Sequence, residues 1–133
     1  MRVAIIGAGG IGRGYAAYLA QNGHQPVLWS PSGAARADFD GGAPLTATGK
    51  IVASLGVSVA GACAEALAGA DAVIVTVQAN GFRSVLDEIG QHLLAGQVVI
   101  ISAHCSFAAL HLYRLLAARG VEVPIAAWAT TAL

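Results

Sequence analysis

Formal charge is scarce in this sequence. Seven basic and seven acidic side chains in 133 residues sum to zero. A basic surface able to track a nucleic acid or an anionic membrane is therefore not expected. Cysteine is nearly missing. Cys63 and Cys105 have no metal-ligand spacing, which fits a reduced, cytoplasmic setting and no disulfide framework. Long uncharged runs are missing too: Glu65 and Asp71 interrupt the most apolar region, so no bilayer span is expected. The first residues carry a strand pattern and a glycine turn instead of a charged leader and cleavage site, so no signal peptide is expected. Paired carboxylates, metal-ligand clusters and a serine triad are absent from the pattern, and neither a catalytic nor a metal-binding residue is assigned.

What is present is aliphatic. Hydrophobic residues make up 56% of the chain and the mean hydropathy is +0.69. A chain of this length forms one domain, residues 1–133, large enough for a real core. So apolar a domain suggests faces covered by something else.

The order of elements is regular. "RVAII" reads as a buried parallel strand. The helix after it places Ile11, Tyr15, Tyr18 and Leu19 on one face and stops at Asn22-Gly23. A second strand lies near Pro26 to Trp29, followed by a turn-rich loop with at most a short helix. Short extended pieces around Ile51 to Ala53 and Val57 to Val59 precede a short helix in "ACAEALAG". Ala72 to Val77 is a further strand. The cleanest amphipathic helix follows, with Phe82, Val85, Leu86, Ile89 and Leu93 on its apolar face and Asn80 as N-cap. "QVVIIS" is a strand, Ser106 caps the next helix and Gly120 ends it, and "VPIAAW" reads as a last buried strand. The helix from Phe107 to Ala118 is apolar nearly all round. Strands alternating with helices define an α/β fold: a Rossmann-type, doubly wound, mostly parallel sheet covered by helices on both faces.

The chemistry-bearing motif is "IIGAGGIGRG". Gly7, Ala8, Gly9, Gly10, Ile11 and Gly12 form a G-x-G-x-x-G turn that follows a strand and opens a helix. Gly7 permits the tight turn, Gly9 leaves room for a pyrophosphate, and Gly12 lets the helix approach the strand, with Ala16 small on the same face. Unpaired amides and the helix dipole then favour a dinucleotide phosphate. Arg13 in the first turn opposes the dipole, and a bound anion would offset that.

The second strand ends in Ser30, where a carboxylate would select NAD. Serine removes the repulsion of a 2′-phosphate, and Arg36 is placed to pair with it. The expected cofactor is NADP or NAD, with NADP accepted. Val77 and Gln78 follow the fourth main strand and should pass the nicotinamide ribose. Ser102 and His104 follow the fifth strand; Trp128 and Thr130 follow the last. All four are candidate substrate-crevice residues. His104 has the chemistry of a general acid or base, but no carboxylate near it in sequence to orient it.

Taken together, "IIGAGGIGRGYAAYLAQNGH", "LWSPSG", "PLTATGKI", "AEALAGADAVIVTVQANGFRSVLDEI", "GQVVIISAHCSFAALHLYRLLAARG" and "PIAAWATT" resemble the N-terminal half of the octopine/nopaline (opine) dehydrogenase family. The glycine turn is generic; the block from Ser102 to Gly120 and the "AWATT" ending are the specific parts. The resemblance implies an NAD(P)-dependent oxidoreductase that condenses an amino acid with a 2-keto acid and reduces the imine. It also implies a helical C-terminal domain that supplies the catalytic histidine and much of the amino-acid site. That domain is expected to be absent from this chain, which would then be inactive alone. Two other readings stay open: a ketopantoate-reductase-like domain, which the "AWATT" block fits less well, and a non-catalytic dinucleotide-binding module. The latter would form a homodimer through the apolar helix near Leu110 to Leu116.

Overall fold

The computed structural model describes residues 1–39, 42–48, 53–103 and 105–129. Its centre is a six-stranded sheet built from β1 (Arg2–Ile6), β2 (Gln25–Trp29), β5 (Ser58–Val59), β6 (Ala72–Val75), β7 (Val98–Ile101) and β8 (Ile125–Ala127). These strands lie in the order β5-β2-β1-β6-β7-β8, and every pairing is parallel. The chain thus starts in the middle, winds to one edge, returns, and winds to the other. The reversal falls between β1 and β6, where a crevice must open because the connections leave in opposite directions.

Side-chain alternation divides the core into two layers. On one face Ala4, Ile6, Val27, Trp29, Val73, Val75, Val99 and Ile101 pack against α3 (Cys63–Leu67), α4 (Phe82–His92) and α5 (Ala108–Ala118). On the other, Val3, Ile5, Leu28, Ala72 and Ile74 meet α1 (Gly10–Gln21), α2 (Ala34–Phe39) and a small hairpin. All five residues expected on the apolar face of α4 are buried. The ends of α1 and α5 also follow the sequence. Gly23 and Gly120 take left-handed φ values of 77° and 65°. Paired bonds, His24 N to Leu19 O with Gly23 N to Ala20 O and Val121 N to Leu116 O with Gly120 N to Ala117 O, close each helix in a Schellman motif.

Other expectations need correction. The face of α1 is rotated: Tyr15, Ala16 and Ala17 are buried, whereas Ile11 and Tyr18 are about half exposed. Gly12, Ala16 and Ala17 are small where α1 lies closest to the sheet, and Tyr15 is the bulky residue it buries. The strict alternation of strand and helix is broken by β3 (Leu45–Ala47) and β4 (Ala53–Leu55), an antiparallel pair forming a separate two-stranded sheet. Their brevity and glycine-rich surroundings hid them, and part of the expected piece from Ile51 lies outside the described residues. Asn80 does not cap α4. It falls in a 3-10 turn, Ala79–Gly81, and Gly81 takes the cap position with no side-chain bond. Ser106 does not cap α5 either; Phe107 does, at a φ of 64°.

The last strand is not buried. β8 pairs only with β7, at the sheet edge, and Ala126 and Ala127 are exposed. Over β7 the face shared with α1 is only partly covered by the described residues, leaving Val98 exposed and Ile100 half-buried. Leu110 and Tyr113 on α5 are exposed as well. Among the described residues no helix is long and apolar enough to cross a membrane.

The buried Cys63 offers a pH test of this core. Burial, and then the negative charge of Glu88, push its thiol from 9.0 up to about 12. The folded chain therefore keeps a proton that the unfolded chain releases above about pH 9. Its stabilising contribution is complete below that pH and is lost as pH climbs toward 12. The slope attributable to this thiol should approach ~1.4 kcal/mol per pH unit. Urea titrations at pH 8.5 and 10.5 should show a smaller alkaline loss in Cys63→Ala than in the parent chain. Equal losses would contradict a buried, neutral thiol.

Candidate functional site

Parallel register brings the strand ends flush. Ile6 pairs with Trp29 and Val75, Val75 with Ile101, and Ile101 with Ala127. The next residue of each strand is then Gly7, Ser30, Thr76, Ser102 or Trp128. These five form a row at the carboxyl edge of the sheet, and the strand-order reversal lies within it.

The glycine turn occupies the reversal. Gly7 leaves β1 at a φ of 121°, which side chains rarely tolerate, and donates its amide to Trp29 O at 2.8 Å. A Cβ on Gly12 would overlap the Gly7 carbonyl oxygen, so only hydrogen lets α1 start this close to the strand. At Gly9 and Gly10 the opposite holds: a Cβ would meet nothing within 4 Å. The first amides of a helix have no intrahelical acceptor, and no side chain caps α1 at Gly9. The turn is thus crowded behind and open in front. Positive potential at the helix start faces the open side. This shape and charge fit a diphosphate and disfavour a cation.

Ala8 is buried and Ile11 is about half exposed. Arg13 is held at the back of the turn. Its Nε donates to Ala8 O at 2.7 Å, its guanidinium pairs with Asp38 of α2, and it lies 5.4 Å from the Phe39 ring centre. The cation opposing the dipole is therefore answered by a carbonyl and a carboxylate of the protein itself.

Ser30 is buried. Its Oγ accepts the Ala35 amide at 3.2 Å and lies 3.4 Å from Ser32 Oγ. Arg36 is exposed and turned toward the start of α3, its Nη1 standing 3.4 Å from where a side chain on Gly61 would begin. Glu65 accepts the Gly61 amide beside it at 2.7 Å. Val77 is half-buried and Gln78 exposed, both just beyond β6.

Ser102 and Trp128 are drawn together, but around a residue the sequence did not single out as functional. Ser102 is 3% exposed and its Oγ lies 2.9 Å from the Tyr15 hydroxyl. The Trp128 ring is 6.1 Å from the Tyr15 ring at a 43° tilt. Both side chains face α1, so Tyr15 ties the glycine helix to the ends of β7 and β8. Thr76, which the sequence does not mark as a contact of the glycine turn, bonds there as well: its Oγ1 lies 3.1 Å from both Ile6 O and Gly7 O. A hydroxyl at the end of a buried strand, opposite a glycine turn, was the available signal. His104 and Thr130 lie outside the described residues. Cys105 is half-buried and free. Among the described residues no group of acidic, histidine and cysteine side chains could hold a metal.

This topology and turn define a Rossmann dinucleotide-binding domain. Residues 3–104 match the ketopantoate reductase PanE/ApbA family, and the chain belongs to that family. A solved PanE/ApbA family ketopantoate reductase from Ralstonia eutropha is 26% identical with a TM-score of 0.75, covering 96% of this chain and 40% of its own. A glycerol-3-phosphate dehydrogenase from Coxiella burnetii shares the fold at 19% identity and a TM-score of 0.70, over 95% of this chain and 39% of its own. An imine reductase from Myxococcus stipitatus, solved with NADP+, shares it at 18% identity and 0.66, over 96% and 40%. The chain thus spans about two fifths of the length of these relatives. No curated protein matches it.

The turn predicts opposite behaviour at two of its glycines. Gly12→Ala forces a methyl into the Gly7 carbonyl and should cost about 2–3 kcal/mol. Gly9→Ala points into open space and should cost no more than about 1 kcal/mol, the difference between glycine and alanine at an N-cap. Chemical denaturation of the two variants checks the contrast. Equal costs would contradict it.

Proposed function

We propose that this chain is the nicotinamide-dinucleotide-binding domain of a two-domain reductase, with the diphosphate held by the amides of Gly9, Gly10, Ile11 and Gly12. One observation carries the reading: the turn at the strand-order reversal is bare on its outer side and packed to contact on its inner side. The bound cofactor supplies a hydride. The chain's own part is to fix the dinucleotide along the sheet edge, with Gly7 to Gly12 at the diphosphate and Val77 and Gln78 beside the nicotinamide ribose. We assign Ser102 and Trp128 to the floor of the substrate side; His104 and Thr130, expected there from the sequence, lie outside the described residues.

The substrate class is a small carboxylic acid carrying C=O or C=N beside its carboxylate. Our leading reading is opine formation: an amino acid and a 2-keto acid condense, and the imine is reduced. What supports it is the stretch from Ser102 to Gly120 and the "AWATT" ending, most of which lies beyond the family match ending at residue 104. The second reading is direct reduction of a keto acid such as ketopantoate, supported by the family match itself. Either needs a second wall to hold the substrate against the nicotinamide. We place that wall in a further domain, with the catalytic histidine that the opine dehydrogenase resemblance implies for the first reading. The two readings separate on the intact gene product: NADPH oxidation that requires both a keto acid and an amino acid supports the first, and oxidation with ketopantoate alone supports the second.

Ser30 supports NADP over a strict NAD preference. A carboxylate in its place would face a 2′-phosphate with a repulsion of roughly 4 kcal/mol per charge pair at ~4 Å and an effective dielectric of ~20, before screening. Arg36, turned toward Gly61 and Glu65, would have to swing to reach that phosphate, so Ser30 and the amides after it carry more of the preference. Calorimetric titration should show NADP+ binding at least as tightly as NAD+. Ser30→Asp should weaken NADP+ at least tenfold with little effect on NAD+. A parent chain that prefers NAD+ tenfold would reject the assignment.

A further inference from the structure

We propose that Thr76 is the positioning residue of the glycine turn, holding it in the shape that receives the diphosphate. The inference rests on the dinucleotide reading above. Thr76 ends the strand that faces β1 across the reversal. Its amide donates to Ile6 O at 2.8 Å, continuing the β1-β6 ladder by one step. Its hydroxyl then does what the ladder cannot. Oγ1 stands 3.1 Å from both Ile6 O and Gly7 O, so one proton is shared between the last carbonyl of the strand and the first of the turn.

The same oxygen fills the space the glycines leave. A Cβ on Gly7 would stand 2.7 Å from Thr76 Oγ1, and a Cβ on Gly12 would stand 2.8 Å from it. Gly7 and Gly12 thus share a neighbour: both lie against one hydroxyl, in addition to the positive φ of Gly7 and the Gly7 carbonyl that faces Gly12. Gly7 is gripped from both sides, its amide by Trp29 O of β2 and its carbonyl by Thr76, just past β6. That carbonyl is also the surface on which Gly12 rests. A chain of contacts runs from Thr76 through Gly7 O to the first turn of α1, whose amides must be aimed at the ligand. Small errors there matter, because binding constellations lose function when their support loosens by about 1 Å.

Valine has the shape of threonine without the proton. In Thr76→Val a methyl replaces Oγ1 about 3.1 Å from two carbonyl oxygens, closer than the ~3.3 Å at which carbon and carbonyl oxygen settle. Gly7 O would lose its donor in a buried place. The turn should move outward. Serine keeps the hydroxyl and loses only the methyl.

The test is NADP+ affinity alongside the ligand-free 15N–1H spectrum of the 133-residue chain. Thr76→Val should bind NADP+ about tenfold more weakly than the parent, and Thr76→Ser within about twofold of it. Without ligand, the Gly7, Ala8 and Gly12 amide signals should be displaced in Thr76→Val and near their parent positions in Thr76→Ser. If Thr76→Val does not fold, Thr76→Ala, which removes the hydroxyl without inserting a methyl, takes its place with the same expectation. Affinity unchanged in the hydroxyl-deleted variant, or lost equally in Thr76→Ser, would overturn the proposal. A parent chain that binds neither NADP+ nor NAD+ would instead sink the dinucleotide reading. The amide signals would still decide whether Thr76 positions the turn.

Discussion

The site depends on one close approach, that of the first turn of α1 to the carbonyl of Gly7. No side chain fits at Gly12 without displacing backbone. This contact brings the helix start to the strand end and leaves free space at Gly9 and Gly10, where the first amides of α1 have no intrahelical acceptor. Crowding behind and openness in front are two sides of the same geometry. Burial elsewhere serves it: Ala16 and Ala17 are buried beneath α1, and their small size lets the whole helix lie close to the sheet.

Supports converge on this contact from several elements. β2 holds Gly7 through Trp29 O, β6 through Thr76, and α1 itself through Arg13 on Ala8 O. Asp38 of α2 then anchors Arg13, so the glycine turn is linked to the segment after Ser30. Tyr15 extends the linkage the other way, to Ser102 and Trp128. A dinucleotide laid along the sheet edge would touch a connected scaffold, and the proposed specificity at Ser30 and proposed substrate side at Ser102 share that scaffold through α1.

The parallel α/β architecture was legible because its signals are local and strong. β-branched runs, the 3.6-residue period of α4, and glycine stops at Gly23 and Gly120 each name their element. The glycine spacing likewise named the turn, which has Gly7 at a positive φ, Gly9 beside open space and Gly12 against the Gly7 carbonyl. What was not legible depends on neighbours. Ile11 and Tyr18 have the right period for a buried face, yet α1 buries Gly12, Tyr15, Ala16 and Ala17 instead, so they turn outward. Asn80 and Ser106 look like caps, but the chain takes an extra turn before each helix, and the caps fall on Gly81 and Phe107. The apolar run at β8 reads as a buried strand, and only the sheet order puts it at an edge. Tyr15 and Thr76 act through oxygens whose partners lie far away in sequence, at Ser102 and at Gly7.

The most direct test of the account is a crystal structure of the chain grown with NADP+. The account predicts diphosphate oxygens within hydrogen-bonding reach of the amides between Gly9 and Gly12, and the adenosine ribose against the segment after Ser30. A dinucleotide bound elsewhere, or a turn left bare at saturating NADP+, would contradict it.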